Sequence, residues 1–429
     1  MTYYYSSLAF LFVASSAFSQ SSEWMRPLGT NTDDFSYGIA IDSDGNVFVT
    51  GNTKGDFDGF AGPSDKAFVA RYNSSGELLW VDQLGASARY FGKDIAVGPN
   101  GGVYIVGNSF DSTLPEYAGS SDAFVMQYDS DGNRGWSRAI GSSSGDSAEA
   151  IAIDGLGSLY MVGNKNGDGF IAKLGLTGDL LWENQFNKYS DYQPETFYEV
   201  ATTNEGGVVA AGNAQDDFSA ATQPFLVKYS SAGDVEWEKR LGDDGYAELG
   251  TITGMAASLS GDFYVTGTDY GTLDVRTGEY VGGTAFLSKY SSDGRIEWMH
   301  PLDDLPAAIE TDQNGGLLVT GVSLIPRPYS SYVTDAFVSL YDEAGDLIWK
   351  KVLSTTVGDY TADLATNGRG LVYVAGTLNG GIGRDRTRDS NAFVAKTVVP
   401  TTVPEPGFGV ILITLSTITL LVARRTIRV

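Results

Sequence analysis

The chain has 429 residues, with 53 acidic and 28 basic side chains and a formal net charge of −25. That balance excludes the basic face that phosphate backbones require, so nucleic acid is not an expected partner. No cysteine and a single histidine, His300, exclude disulfides, thiolate chemistry and Cys- or His-rich metal centres. In chain order, residues 1–19 come first. Leu8 to Ala14 form a short apolar stretch, and small residues follow up to Ser19. This is the layout of a secretory signal cut between Ser19 and Gln20. The stretch has no Lys or Arg ahead of it, and a cut after Ala17 fits the small-residue rule about as well.

From Trp24 onward the sequence repeats. All seven tryptophans, Trp24, Trp80, Trp136, Trp182, Trp237, Trp298 and Trp349, recur at intervals of 56, 56, 46, 55, 61 and 51 residues. Six of them follow a turn and a short strand, as in Ser75-Gly76-Glu77-Leu78-Leu79-Trp80. A second phrase also occurs seven times, from AFVARY at Ala67 to AFVAKT at Ala392. A third is a hairpin such as Ile39-Ala40-Ile41-Asp42-Ser43-Asp44-Gly45-Asn46-Val47-Phe48-Val49, with a looser copy over Met255–Thr266. Each period therefore holds four β-branched and aromatic strands separated by Gly, Asn or Asp. Several are apolar on both faces, which requires burial between neighbours. Four strands per period, stacked face to face, predict an all-β, seven-bladed β-propeller over residues 20–400. The count leaves a tryptophan strand spare at the start and missing after Ala392–Thr397. Residues 23–29 are therefore expected to be the outermost strand of the blade built by residues 360–397, closing the ring.

The phrase DGNVFVTG…DAFVARY…GELLW…LG resembles the bacterial seven-bladed β-propeller repeats of the SBBP type, over residues 24 to about 400. The resemblance implies the fold and no particular activity. The last segment, 401–429, holds Val403-Pro404-Glu405-Pro406, an apolar stretch over 407–423, and then Arg424, Arg425 and Arg428. As helix that stretch reaches about 25 Å, enough to cross a bilayer core, with the arginines holding its end in the cytoplasm. This tripartite tail resembles the PEP-CTERM sorting signal. The resemblance implies that an exosortase-type membrane transpeptidase reads Pro404, Glu405 and Pro406. It also implies export toward an exopolysaccharide-producing surface, with the helix a membrane anchor until processing; a plain tail anchor is the alternative.

Few residues suggest chemistry. Asp42-Ser43-Asp44-Gly45-Asn46 and Asp129-Ser130-Asp131-Gly132-Asn133 look like calcium loops but lack the closing bidentate acid, and Asp-Gly suits tight hairpins. His300 lies on a tryptophan strand and reads as structural. Loops between second and third strands carry aromatics, among them Phe57, Phe60, Phe110, Tyr117, Phe218, Tyr270, Tyr280, Tyr329 and Tyr332. Such a rim either stacks on sugar rings or folds back over the blade edges. Lys93, Asp94, Glu149, Glu199 and Asp363 precede the innermost strands and should crowd one mouth of the channel. The leading expectation is a non-catalytic exported propeller, binding glycan or surface protein, without cofactor or metal. The alternatives are a carbohydrate-active enzyme using channel carboxylates and, from a resemblance in the D-x-x-G-x-x-x-W phrase, a quinone-dependent dehydrogenase.

Overall fold

The computed structural model describes residues 23–400 apart from positions 86, 313 and 369. Also left out are the stretches 58–64, 190–193, 204–205, 216–221, 242–248, 270–272, 275–278, 281–284, 327–331, 354–357 and 380–389. The expected signal with its Ser19/Gln20 cut, and the tail with Pro404, Glu405, Pro406, Arg424, Arg425 and the span 407–423, lie outside the described residues. Among the described residues no helix is long and apolar enough to cross a membrane.

Seven four-stranded antiparallel sheets surround a channel, and the innermost strand of each packs against that of the next, all the way round. Blade 1 shows the plan, running outward through Asp34–Ile41, Val47–Thr53, Lys66–Tyr72 and Leu78–Gln83. Blades 2 to 6 begin at Tyr90, Ser147, Glu195, Leu249 and Leu305. Blade 7 runs through Asp359–Thr366, Leu371–Asn379 and Ser390–Val398 and takes its outermost strand, Trp24–Leu28, from the start of the chain. The expected closure is thus observed, with Trp24 opposite Lys396 and Leu28 opposite Ala392.

Local chemistry explains the blades. In the first turn the Asp42 carboxylate accepts the amides of Asp44 and Asn46 and the Asn46 side chain, while Gly45 takes a φ of 79°. Asp129 closes its own turn in the same way. The middle strands are buried on both faces, as Val47–Val49 and Ala67–Ala70 show. The tryptophans join blade to blade. Trp80 donates its indole N–H to Ser130 O of the next blade at 3.0 Å, Trp136 to Leu176 O at 3.0 Å, and Trp182 to Ser231 O at 3.1 Å. Each ring lies over the glycine of that turn; a Cβ on Gly132 would stand 2.8 Å from Trp80.

Two of the expected rim loops contain regular structure. The loop expected over 322–335 is mostly a continuation of the blade 6 hairpin, whose pairing runs out to Pro326 opposite Tyr332. Its apolar, β-rich flanks, Val322 to Ile325 and Tyr332-Val333, are a natural strand extension. Within 268–284, Leu273–Asp274 pairs with Glu279–Tyr280.

Candidate functional site

Every innermost strand carries a register shift at the same place, between Ser36 and Gly38 in blade 1, Gly92 and Asp94 in blade 2, and Thr361 and Asp363 in blade 7. These bulges set two residues against one and re-aim the side chains beside them into a channel of about 550 Å³. The five expected residues do come together there, but they lie within the innermost strands rather than ahead of them, because each strand begins three or more residues earlier than its apolar run suggests. Lys93 and Glu149 hold the bulged position in blades 2 and 3 and pair at 3.0 Å. Asp94, Glu199 and Asp363 hold the next position in blades 2, 4 and 7, where the other blades carry Gly38, Ala150, Gly254 and Ala308.

The aspartates join blades. Asp94 accepts the amides of Ile95 at 2.7 Å and of Ile151, one blade on, at 2.8 Å. Asp363 does the same with Leu364 at 2.7 Å and Ile39 at 2.9 Å, across the 7–1 joint. A further acid, Glu310, lines the same channel. It stands where the other six blades place Ala40, Ala96, Ala152, Ala201, Ala256 and Ala365. The signal was present, since Ile309-Glu310-Thr311 breaks the Ile39-Ala40-Ile41 pattern, but a search for acids ahead of the strand passes over it.

Burial pushes all four acids upward. Asp94 rises to about 6 against the pull of its two amides, and Glu310 to about 7. Glu199 and Asp363 rise well above the ordinary carboxyl range, burial first and neighbouring carboxylates second. The folded protein therefore binds more protons than the unfolded chain between about pH 4 and 7, so stability falls as pH rises through that window. Between pH 5.5 and 8 the expected loss is on the order of 1–3 kcal/mol. Glu310→Gln should flatten the slope of urea midpoint against pH. A midpoint that rises with pH over this range would show that these carboxylates are ionised and stabilised in the channel.

Above the bulges, Phe35 stacks on Tyr37 at 6.4 Å, and Phe91 meets Phe110 edge-on at 6.3 Å with Arg89 4.4 Å over the Phe110 ring. Tyr198 is 41% exposed at the channel mouth. Of the rim residues, Phe57 packs edge-on against Phe68 at 5.6 Å, and Tyr117 packs on the blade 2 core and donates to Ser120 O at 3.1 Å. Phe60, Phe218, Tyr270 and Tyr329, and the side chains of Tyr280 and Tyr332, lie outside the described residues. His300 packs against Trp298, ring centroids 4.9 Å apart and planes tilted by 52°, on the outer strand of blade 5, away from the channel. Among the described residues no group of three or more His, Asp or Glu is arranged to hold a metal ion.

The profile of a family described as "Beta-propeller repeat" (SBBP) matches residues 23–58. Over 214 residues, 44% of this chain, the sequence is 30% identical to the regulatory protein FlaEY of Caulobacter vibrioides; the match spans 22% of that relative. Among solved structures, the polysaccharide lyase Uly1 superposes with a TM-score of 0.53 at 10% identity, covering 88% of this chain and 99% of the lyase. The β-propeller domain of the trilobed protease from Pyrococcus furiosus gives a TM-score of 0.47 at 9% identity, covering 88% and 98%. At such identities the likeness to Uly1 concerns the fold alone.

Proposed function

We propose that this chain is an exported, non-catalytic propeller of the cell surface or exopolysaccharide matrix. In this reading it serves as a scaffold and binding module, sorted by an exosortase-type transpeptidase. The observation that supports a scaffold over a carboxylate enzyme is the use made of the channel acids. Asp94 and Asp363 each spend both oxygens on backbone amides of two blades, which commits them to holding the ring rather than to a substrate.

Topology adds an orientation. Glu23 and the Val398–Pro400 end lie together, Glu23 accepting the Val398 amide, on the face that carries the turns between third and fourth strands. The channel mouth and the loops between second and third strands lie on the opposite face. A tail held at a membrane would then present the mouth outward. Pro404→Ala with Glu405→Ala in the full chain is expected to leave unprocessed protein in the inner membrane, read by fractionation and immunoblot. Unchanged surface release of that variant would remove the transpeptidase from the proposal.

A further inference from the structure

In six of the seven blades the residue at the bulged position of the innermost strand lines the channel; in blade 5 Thr253 instead bonds Thr266 of its own sheet. Blades 6 and 7 fill the bulged position with Ala307 and Ala362, so that side of the entrance is open. Blades 2, 3 and 4 fill it with Lys93, Glu149 and Tyr198, a contiguous arc. Lys93 and Glu149 pair at 3.0 Å, Tyr198 is close enough to feel both charges, and its phenol bonds the Thr196 side chain. Blade 1 adds Tyr37. An aromatic ring 41% exposed at a cavity entrance, beside a cation and an anion, is not explained by packing.

We propose that the arc Lys93–Glu149–Tyr198 binds a neutral hexose unit of a glycan, the sugar ring stacked on Tyr198 and its hydroxyls bonded to Lys93 and Glu149. This rests on the binding role proposed above and places that role at the channel mouth instead of the rim loops. A sugar face offers C–H groups to an aromatic ring, and vicinal hydroxyls need one donor and one acceptor side by side, which the ion pair supplies. The channel, about 550 Å³, falls in the size range of small-ligand sites. Charge decides the class of sugar. Uronates and phosphorylated glycans meet a chain of net charge −25.

The test is calorimetry on the full chain in detergent, with maltoheptaose, mannan and galactan fragments as neutral probes and polygalacturonate as the charged control. A neutral probe should bind, Tyr198→Ala should weaken it at least tenfold, Tyr198→Phe should restore most of the affinity, and the melting temperature should hold in both variants. If a neutral probe binds and Tyr198→Ala leaves its affinity unchanged, the mouth site is wrong while the glycan-binding role stands. Preference for polygalacturonate overturns the assignment to neutral sugars. Failure of every glycan to bind removes both the site and the glycan-binding role.

Discussion

Deleting residues 23–29 is expected to abolish the cooperative unfolding transition of the propeller rather than to trim one edge of it. Those residues supply the whole outer strand of blade 7, paired from Trp24–Lys396 to Leu28–Ala392. They also reach forward to blade 1: Arg26 donates to Gly76 O at 2.9 Å, and Trp24 stacks on Tyr72 at 6.3 Å. On the other side Lys351 of blade 6 pairs with Glu23 at 2.6 Å. Three blades therefore meet on one short strand, and its loss opens the ring at buried faces. Trp24, only 7% exposed, is the anchor, and Trp24→Ala alone should cost roughly 3–5 kcal/mol in urea unfolding. A disulfide gives the independent check. The chain has no cysteine, so Met25→Cys with Ala395→Cys, direct partners across the seam, can form only the intended bridge. The oxidised variant should crosslink quantitatively and tolerate more urea than its reduced form. No crosslink, together with an unfolding midpoint indifferent to the deletion, would mean that the ring closes elsewhere.

Much of this was legible in the sequence because blade strands report their burial directly. Phrases such as AFVARY are apolar on both faces, and only a sheet packed between sheets requires that. The closing strand was legible by counting, since Trp24 had no preceding hairpin and Ala392–Thr397 had no following tryptophan. The channel was only half legible. Asp94, Glu199 and Asp363 stand just before apolar runs and invite notice, but whether they point inward depends on a bulge, whose trace in the sequence is not on its own strand but in the glycine of the facing one, such as Gly107. Glu310 sits inside the strand, where alternation alone would place a polar side chain on a solvent face. The same limit hid Tyr198. Its strand neighbour Phe197 is fully buried, and one residue of register decides which of the two faces the mouth.

Gly107→Ala should be among the most damaging single substitutions in the chain, although it adds one methyl group. Gly107 lies in the second strand of blade 2, directly opposite the bulge, and a Cβ there would stand 1.8 Å from Phe91 O. The equivalent glycines meet the same obstacle: 1.9 Å to Phe35 O at Gly51, 2.0 Å to Ser147 O at Gly163 and 2.0 Å to Leu305 O at Gly321. The obstacle is backbone, so no side chain can swing aside, and both strands are clamped between blades 1 and 3. Relief requires either flattening the bulge or parting two strands of a buried sheet. The expected cost is about 3 kcal/mol or more, at the upper end for overpacking. Gly155→Ala is the matched control: it is exposed with nothing within 4 Å of the added methyl, and should change stability by no more than about 0.5 kcal/mol. If Gly107→Ala unfolds with the wild-type midpoint, the strands do not approach as described. If it folds but flattens the bulge, Lys93 and Asp94 lose their aim, and the Lys93–Glu149 pair and the Asp94–Ile151 bond should fail together. The glycine that reads in sequence as strand punctuation is then what shapes the channel mouth, because the bulge that presents the arc exists only where the facing strand has no side chain.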